Sequence, residues 1–218
     1  MDIRVADTPA PLAGEWIGRR LRDAVRRRGV ATLALSGGST APPMIEALVA
    51  ADVPWAAVSI WQVDERVAPD GHAARNANQL TAFDGLPCRV HPMPVTARDR
   101  RAAARRYAAG LPERFDVVHL GVGDDGHTAS WPPDVPAVRE SVRHVELVEM
   151  FSGWPRMTLT RTVVDAARSR IVLTLGADKR DVVERWLLED PSLPISAVRR
   201  RDTWVFLDAA AAPRTALH

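Results

Sequence analysis

His127 stands in Gly121-Val-Gly-Asp-Asp-Gly-His-Thr-Ala-Ser130, two residues after Asp125. Imidazole is the side chain whose ordinary pKa lies closest to neutrality. A neighbouring carboxylate can fix its tautomer and raise its basicity. The pair therefore suits removal of a proton from water or from a bound substrate. Two other short runs carry side chains that could hold such a substrate, Ser36-Gly-Gly-Ser-Thr40 and Asp64-Glu-Arg66.

Ser36-Gly-Gly-Ser-Thr40 combines glycines, which let a backbone approach a ligand closely, with hydroxyl donors at Ser39 and Thr40. It leads into a helix, whose N-terminal N–H groups attract an anion. The G-K-[ST] signature of a nucleoside-triphosphate loop is missing. The structural alternative is a tight turn in which Ser39 or Thr40 merely caps the helix. In Asp64-Glu-Arg66, strand alternation would point Asp64 and Arg66 one way and Glu65 the other. A carboxylate beside a guanidinium stays ionised, and both can hold sugar hydroxyls or phosphate oxygens. The alternative here is an ion pair at a strand end.

Several other chemistries are disfavoured. Gly121 to Gly126 fits G-x-G-x-x-G, but Asp124 and Asp125 would oppose a pyrophosphate, and the prolines of Trp131-Pro-Pro-Asp-Val-Pro136 deny it the long helix it needs. Glu149, after a possible strand at 145–148, is the one residue placed like a ribose-binding acid, and it does not outweigh those objections. The six histidines show no H-E-x-x-H pairing, so no metal is expected. No G-x-S-x-G elbow is present for a serine hydrolase.

The elements that position these loops follow from apolar spacing. Ala10 to Arg28 reads as a helix, with Leu12, Trp16, Ile17, Leu21 and Val25 as its buried stripe and Gly29 as its stop. Val30 to Leu35 is a short buried strand that ends in the glycine loop. A helix follows, with Pro42 and Pro43 in its first turn and Met44, Ala47 and Leu48 facing inward. Val58 to Val63 is a second strand that stops at Asp64. Helices are expected over 76–83, 97–109 and 181–188, and strands over 115–120, 170–175 and 203–207. Apolar strands alternating with helices imply a parallel sheet covered on both faces. Ligands gather at the carboxyl ends of such strands. All three polar loops fall there.

Composition agrees with a soluble globular protein. Of 218 residues 46% are hydrophobic and 26% charged, and no run approaches the ~20 apolar residues of a membrane span. The acidic start, Met1-Asp-Ile-Arg-Val-Ala-Asp7, and the lone Cys88 suggest the cytoplasm. The formal net charge is only +2. The clusters Arg26–Arg28 and Arg199–Arg201 therefore read as solvated surface, and neither a nucleic-acid nor a membrane partner is expected.

Taken together, the loops resemble those of the 6-phosphogluconolactonases, which share a superfamily with the glucosamine-6-phosphate deaminases. The matching segments are LALSGGST (33–40), Asp64-Glu-Arg66 with Arg75-Asn76, HLGVGDDGHTAS (119–130), PRMTLT (155–160) and GADK (176–179), in the family's order over most of the chain. The resemblance implies one α/β domain over 1–218, a three-layer α/β/α, Rossmann-like arrangement with a mainly parallel sheet. It implies cofactor-free hydrolysis of 6-phospho-D-glucono-1,5-lactone, a sugar-phosphate lactone, by a chain expected to be a monomer. His127 would deprotonate water and Asp64 would orient substrate or solvent, while Arg66 or backbone N–H groups of 121–126 would receive the oxyanion. Arg156, Gly37, Gly38, Ser39 and Thr40 would hold the phosphate, helped by Lys179. Asn76, Gly123, Asp125 and Gly126 are further expected substrate contacts.

The chain departs from the family pattern in three places. Arg75 replaces a usual serine, Trp131-Pro-Pro133 replaces Leu-Phe-Pro, and Phe151-Ser-Gly-Trp154 replaces a Lys-Pro stretch. The last two are expected to flank the pocket. Deaminase relatives read DGHIAFNEP where this chain has Asp125-Gly-His-Thr-Ala-Ser-Trp-Pro132, and the missing Asn-Glu pair favours the lactonase. A non-catalytic sugar-phosphate sensor is the remaining alternative, and it would have no use for His127.

Overall fold

Short runs rich in Val, Ile and Leu form the sheet that carries the three loops. The computed structural model describes residues 1–135 and 142–213. Its strands are β1 (Asp2–Val5), β2 (Ala31–Leu35), β3 (Val58–Gln62), β4 (Asp64–Arg66), β5 (Arg89–His91), β6 (Val117–Leu120), β7 (Val145–Phe151), β8 (Trp154–Leu159), β9 (Ser169–Thr174) and β10 (Thr203–Leu207). Its α-helices are α1 (Pro9–Arg28), α2 (Ala41–Val49), α3 (Arg100–Ala109), α4 (Arg161–Ala166) and α5 (Arg180–Leu187). Seven strands make one sheet in the order β1-β10-β9-β6-β2-β3-β5, and every pairing in it is parallel. The expected parallel sheet is therefore present, with all residues of β6 and β9 buried.

Both faces are covered. Ile17 and Leu21 of α1 and Met44 and Leu48 of α2 pack on Leu33, Val117 and Ile171 of one face. Fully burying each such side chain contributes about 1.5–3 kcal/mol. The two helices cross so closely that a Cβ on Gly14 would lie 2.2 Å from the Met44 carbonyl oxygen. The other face receives Tyr107 of α3, Val164 of α4 and Trp186 of α5, with Met157 and Leu159 of β8. These last residues belong to a second, antiparallel sheet in the order β4-β8-β7.

The strand order explains where a ligand can sit. From β2 the chain moves outward through β3 to β5, then returns to the opposite side of β2 at β6 and continues to β9 and β10. The loops leaving β2 and β6 therefore diverge and open a crevice between neighbouring strands. Ligands of open α/β sheets bind at such reversal points. The loop after β2 is the glycine run 36–40, and the loop after β6 contains His127.

Some expectations need correction. Leu12 is 38% exposed, and Ala13 and Gly14 take its place inward, because the helix meets α2 through small residues. Residues 76–83 form a 3-10 helix, and α3 begins at Arg100 rather than 97, behind the Asp99 side chain that accepts from the Ala102 N–H. The Asp64-Glu-Arg66 run is not the end of β3 but a strand of the second sheet. Edge strands β1 and β5 went unread, being short and partly exposed. Pro136 of the proline-rich stretch lies outside the described residues.

His119, midway along β6, is fully buried, and neither ring nitrogen has a hydrogen-bond partner among the described residues. Burial pushes its pKa down to about 4 from an ordinary 6.5. Between those values the unfolded chain binds a proton that the folded chain refuses, so stability falls on acidification across that window. His119→Leu should flatten this loss. Melting temperatures at pH 7 and pH 4.5 would then differ less than in the parent protein, and an unchanged difference would refute the assignment.

Candidate active site

The crevice holds a cavity of about 330 Å³, within the range of small-molecule sites. It is lined by Ser36 to Thr40, Asp64, Arg66, Asn76, Gly121 to Gly123, His127, Ala129, Arg156, Leu173 to Leu175, Asp178 and Lys179. The large sheet supplies the two loops and Lys179. The small sheet supplies Asp64, Arg66 and Arg156.

The His127 loop is folded on itself. The Gly123 N–H donates to the His127 carbonyl at 2.8 Å, and the Gly126 N–H donates to the Gly123 carbonyl at 3.0 Å. Asp125 accepts from the His127 N–H at 2.9 Å and also pairs with its Nδ1. That leaves Nε2 as the nitrogen without a hydrogen bond among the described residues. A Cβ on Gly123 would lie 2.1 Å from the imidazole, so this close approach requires glycine. The arrangement can present an oriented, carboxylate-backed base to the cavity.

Opposite lies a polar cluster built on the small sheet. β4 runs antiparallel to β8 with Arg66 directly across from Arg156. Arg66 Nη1 donates to the Asn76 side-chain oxygen at 2.8 Å and to the Ala74 carbonyl at 2.9 Å. Asn76 Nδ2 donates to the Asp64 carbonyl at 3.0 Å. Asp64 accepts from the Ser130 hydroxyl at 2.7 Å and lies 3.8 Å from Arg156 Nη1. Arg156 is only 5% exposed and sits inside β8, not on the surface before it. Burial lowers its pKa, and Arg66 adds to that effect against the support of Asp64.

The expectation that arginines keep Asp64 readily ionised is modified by burial. Desolvation raises its pKa, outweighing the Ser130 hydrogen bond and the charges of Arg156 and Arg66. An acid whose folded pKa is raised contributes stability below its unfolded value, and that contribution is lost as pH rises through the folded value. Asp64→Asn is therefore expected to melt higher than the parent at pH 8, with the gap narrowing toward pH 4, while kcat falls. A lower melting point at pH 8 would contradict this account.

The third wall is the glycine loop before α2 together with Lys179. Thr40 precedes α2 without a side-chain cap bond, so the capping alternative for this loop is not what forms. Gly37 is pressed against Asn76, where a Cβ would lie 2.1 Å from its Oδ1, and Gly38 has φ 115°, open to glycine but strained for other residues. Lys179 Nζ lies 3.3 Å from Asp178 and 3.8 Å from Asp124 at the cavity edge.

Two expected substrate contacts face elsewhere. Gly126 does not line the cavity: its N–H is used by Gly123, its carbonyl accepts from the Ile195 N–H at 3.0 Å, and a Cβ would strike Leu193. Asp125 also lies outside the lining, with its carboxylate turned to His127. The Gly123 and Gly126 amides are thus spent inside the loop.

A sequence profile of the glucosamine-6-phosphate isomerases/6-phosphogluconolactonase matches residues 6–207. The chain belongs to this family. It is 36% identical over 176 residues to the 6-phosphogluconolactonase of Synechocystis sp., covering 74% of this chain and 73% of that one. Against the 6-phosphogluconolactonase of Rhizobium meliloti it is 31% identical over 220 residues, covering 92% and 94%. The fold matches the crystal structure of a 6-phosphogluconolactonase from Shewanella baltica with a TM-score of 0.87 at 26% identity, over 96% of this chain and 98% of that one.

The departures from the family pattern have separate explanations. Arg75 is 6% exposed and pairs with buried Glu65 at 3.1 Å and with Asp70 at 2.7 Å. Glu65 in turn accepts from the Arg66, Asn76 and Ala77 N–H groups at 2.7–2.8 Å, so it braces the strand end that carries Arg66 and Asn76. Trp131 does not flank the pocket: it is fully buried and donates from Nε1 to the Leu159 carbonyl at 2.8 Å. Phe151 does stand beside the site, 4.8 Å from the His127 ring. Reading the sequence also missed Ser130, although it closes the quoted run, because a small hydroxyl gives no hint that it will meet a carboxylate 66 positions away.

Proposed function

We propose that the chain hydrolyses 6-phospho-D-glucono-1,5-lactone to 6-phospho-D-gluconate, the lactone-opening step of the oxidative pentose phosphate pathway. The observation that carries this reading is a single cavity lined both by His127, backed by Asp125, and by Arg156, Lys179 and the 37–40 loop. Relatives in Synechocystis and Rhizobium meliloti that bear the 6-phosphogluconolactonase name add support.

In this mechanism the phosphate binds at Arg156, Lys179 and the glycine loop, which brings the C1 carbonyl toward His127. His127 Nε2 takes a proton from water as its oxygen bonds to C1. The carbonyl oxygen becomes an oxyanion, which the Arg66 guanidinium receives. The tetrahedral species collapses, the C1–O5 bond breaks, and the imidazolium returns its proton to O5. Asp64, fixed by Ser130 and Asn76, orients the attacking water or the substrate hydroxyls. A lactone carbonyl is activated enough that neither metal nor covalent nucleophile is required. We further read the chain as a cytoplasmic monomer acting on a small molecule; among the described residues no helix is long and apolar enough to cross a membrane.

The deciding experiment follows acid release from the phosphorylated lactone and from glucono-1,5-lactone, each against its spontaneous rate. Enzymatic hydrolysis of the phosphorylated substrate, at a kcat/KM on the order of 10² or more above the other, is expected. No rate above background would leave a sensor, and equal use of both lactones would remove the phosphate role.

A further inference from the structure

His127 and Arg156 come from different sheets, yet one side chain touches both. Phe151 ends β7, and a two-residue turn at Ser152 and Gly153, with φ of 48° and 81°, returns the chain to Trp154. Positive φ at both turn residues marks a tight hairpin whose twist suits the flanking strands. Register between β7 and β8 shifts between Val148 and Phe151, which turns the end of the hairpin relative to the rest of the ladder. There the Phe151 ring stands nearly perpendicular to the His127 imidazole, with centroids 4.8 Å apart and planes at 84°. The same ring lies 5.2 Å from the Arg156 guanidinium carbon, and the Phe151 carbonyl accepts from Arg156 Nε at 3.1 Å.

Phe151 is not among the residues that line the cavity. Its contacts therefore act on the two groups that do line it. The imidazole is held at Nδ1 by Asp125 and across its ring by Phe151, which restricts rotation of the base. The guanidinium is anchored at Nε and steadied by the ring, an arrangement that aromatic–cation attraction favours.

We propose that Phe151 is a positioning residue that sets His127 and Arg156 in one shared geometry, coupling the hydrolytic end of the site to its phosphate end. This rests on the lactonase reading above, so its test includes a measurement that needs no turnover. Phe151→Ala should lower kcat and raise KM together, each by about threefold to tenfold, the range expected of one aromatic contact to a cation or ring. The same variant should weaken inorganic phosphate binding by a similar factor in calorimetry. Phe151→Tyr, which keeps the ring, should restore both. The side chain stands beside a hairpin turn and is only half-buried, so the melting temperature should change by no more than a few degrees.

The proposal is overturned if Phe151→Ala keeps kcat and phosphate affinity within twofold of the parent. It is also overturned if Phe151→Tyr is as impaired as Phe151→Ala. If the parent protein fails to hydrolyse the lactone, the lactonase reading fails, whereas phosphate affinity still decides the role of Phe151 at Arg156.

Discussion

His127→Ala is expected to reduce kcat for lactone hydrolysis by about 10²–10⁴-fold, the usual contribution of a positioned general base. The imidazole lines the cavity, with Asp125 on Nδ1 and Nε2 without a hydrogen bond among the described residues. Alanine leaves the loop's own bonds in place, since those run through the backbone of Gly123, Gly126 and residue 127. The fold should persist, because the side chain is 29% exposed and contributes little to the core. Arg66, Arg156 and the glycine loop remain, so binding should survive and KM should move less than kcat. A pH-stat trace of acid release measures the residual rate directly. A variant that keeps more than about a tenth of parental kcat would rule out the general-base role.

Arg156→Ala is expected to raise KM by about 10- to 100-fold, the cost of losing charge-assisted hydrogen bonds to a phosphate. The side chain is pinned by Phe151 and stands beside Asp64, so little freedom is lost when substrate arrives. Arg156→Lys should recover only part of the loss, because an ammonium cannot reproduce the planar fork. Initial rates over a wide lactone range separate the two constants. An unchanged KM in the alanine variant would take Arg156 out of phosphate binding.

The three loops were legible because glycine, acid and histidine cluster at strand ends, where apolar runs stop abruptly. The parallel sheet was legible for the same reason, since β2, β6 and the centre of β9, Ile171-Val-Leu173, are mostly apolar. The second sheet was not. β4 has three residues, too few to show any periodicity, and its partner β8 begins only at Trp154, with β5, α3, β6 and β7 in between. Without β8 in place, nothing in the order of residues distinguishes buried Arg156 from a surface arginine. Glu65 escaped notice for a different reason: alternation correctly turned it away from Asp64, but that direction proved to be a buried hub and not solvent. Trp131 misled because its position beside the loop suggested a pocket wall, whereas a large ring with one donor can be buried once a carbonyl receives that donor.

The facing of Arg66 and Arg156 across β4 and β8 has a consequence for the life of the protein as well as for its chemistry. Like charges directly opposite on antiparallel strands oppose the pairing of those strands. The small sheet is held together against this repulsion, with Asp64, 3.8 Å from Arg156, as a partial counterweight. A substrate phosphate held at Arg156, as proposed above, would offset part of that repulsion. Substrate and product alike would then act as folding ligands, adding about 2.7 kcal/mol when present at a hundred times their dissociation constant. Metabolite supply would thereby govern how long each molecule resists heat and proteolysis, so that the enzyme is most durable when it is most used.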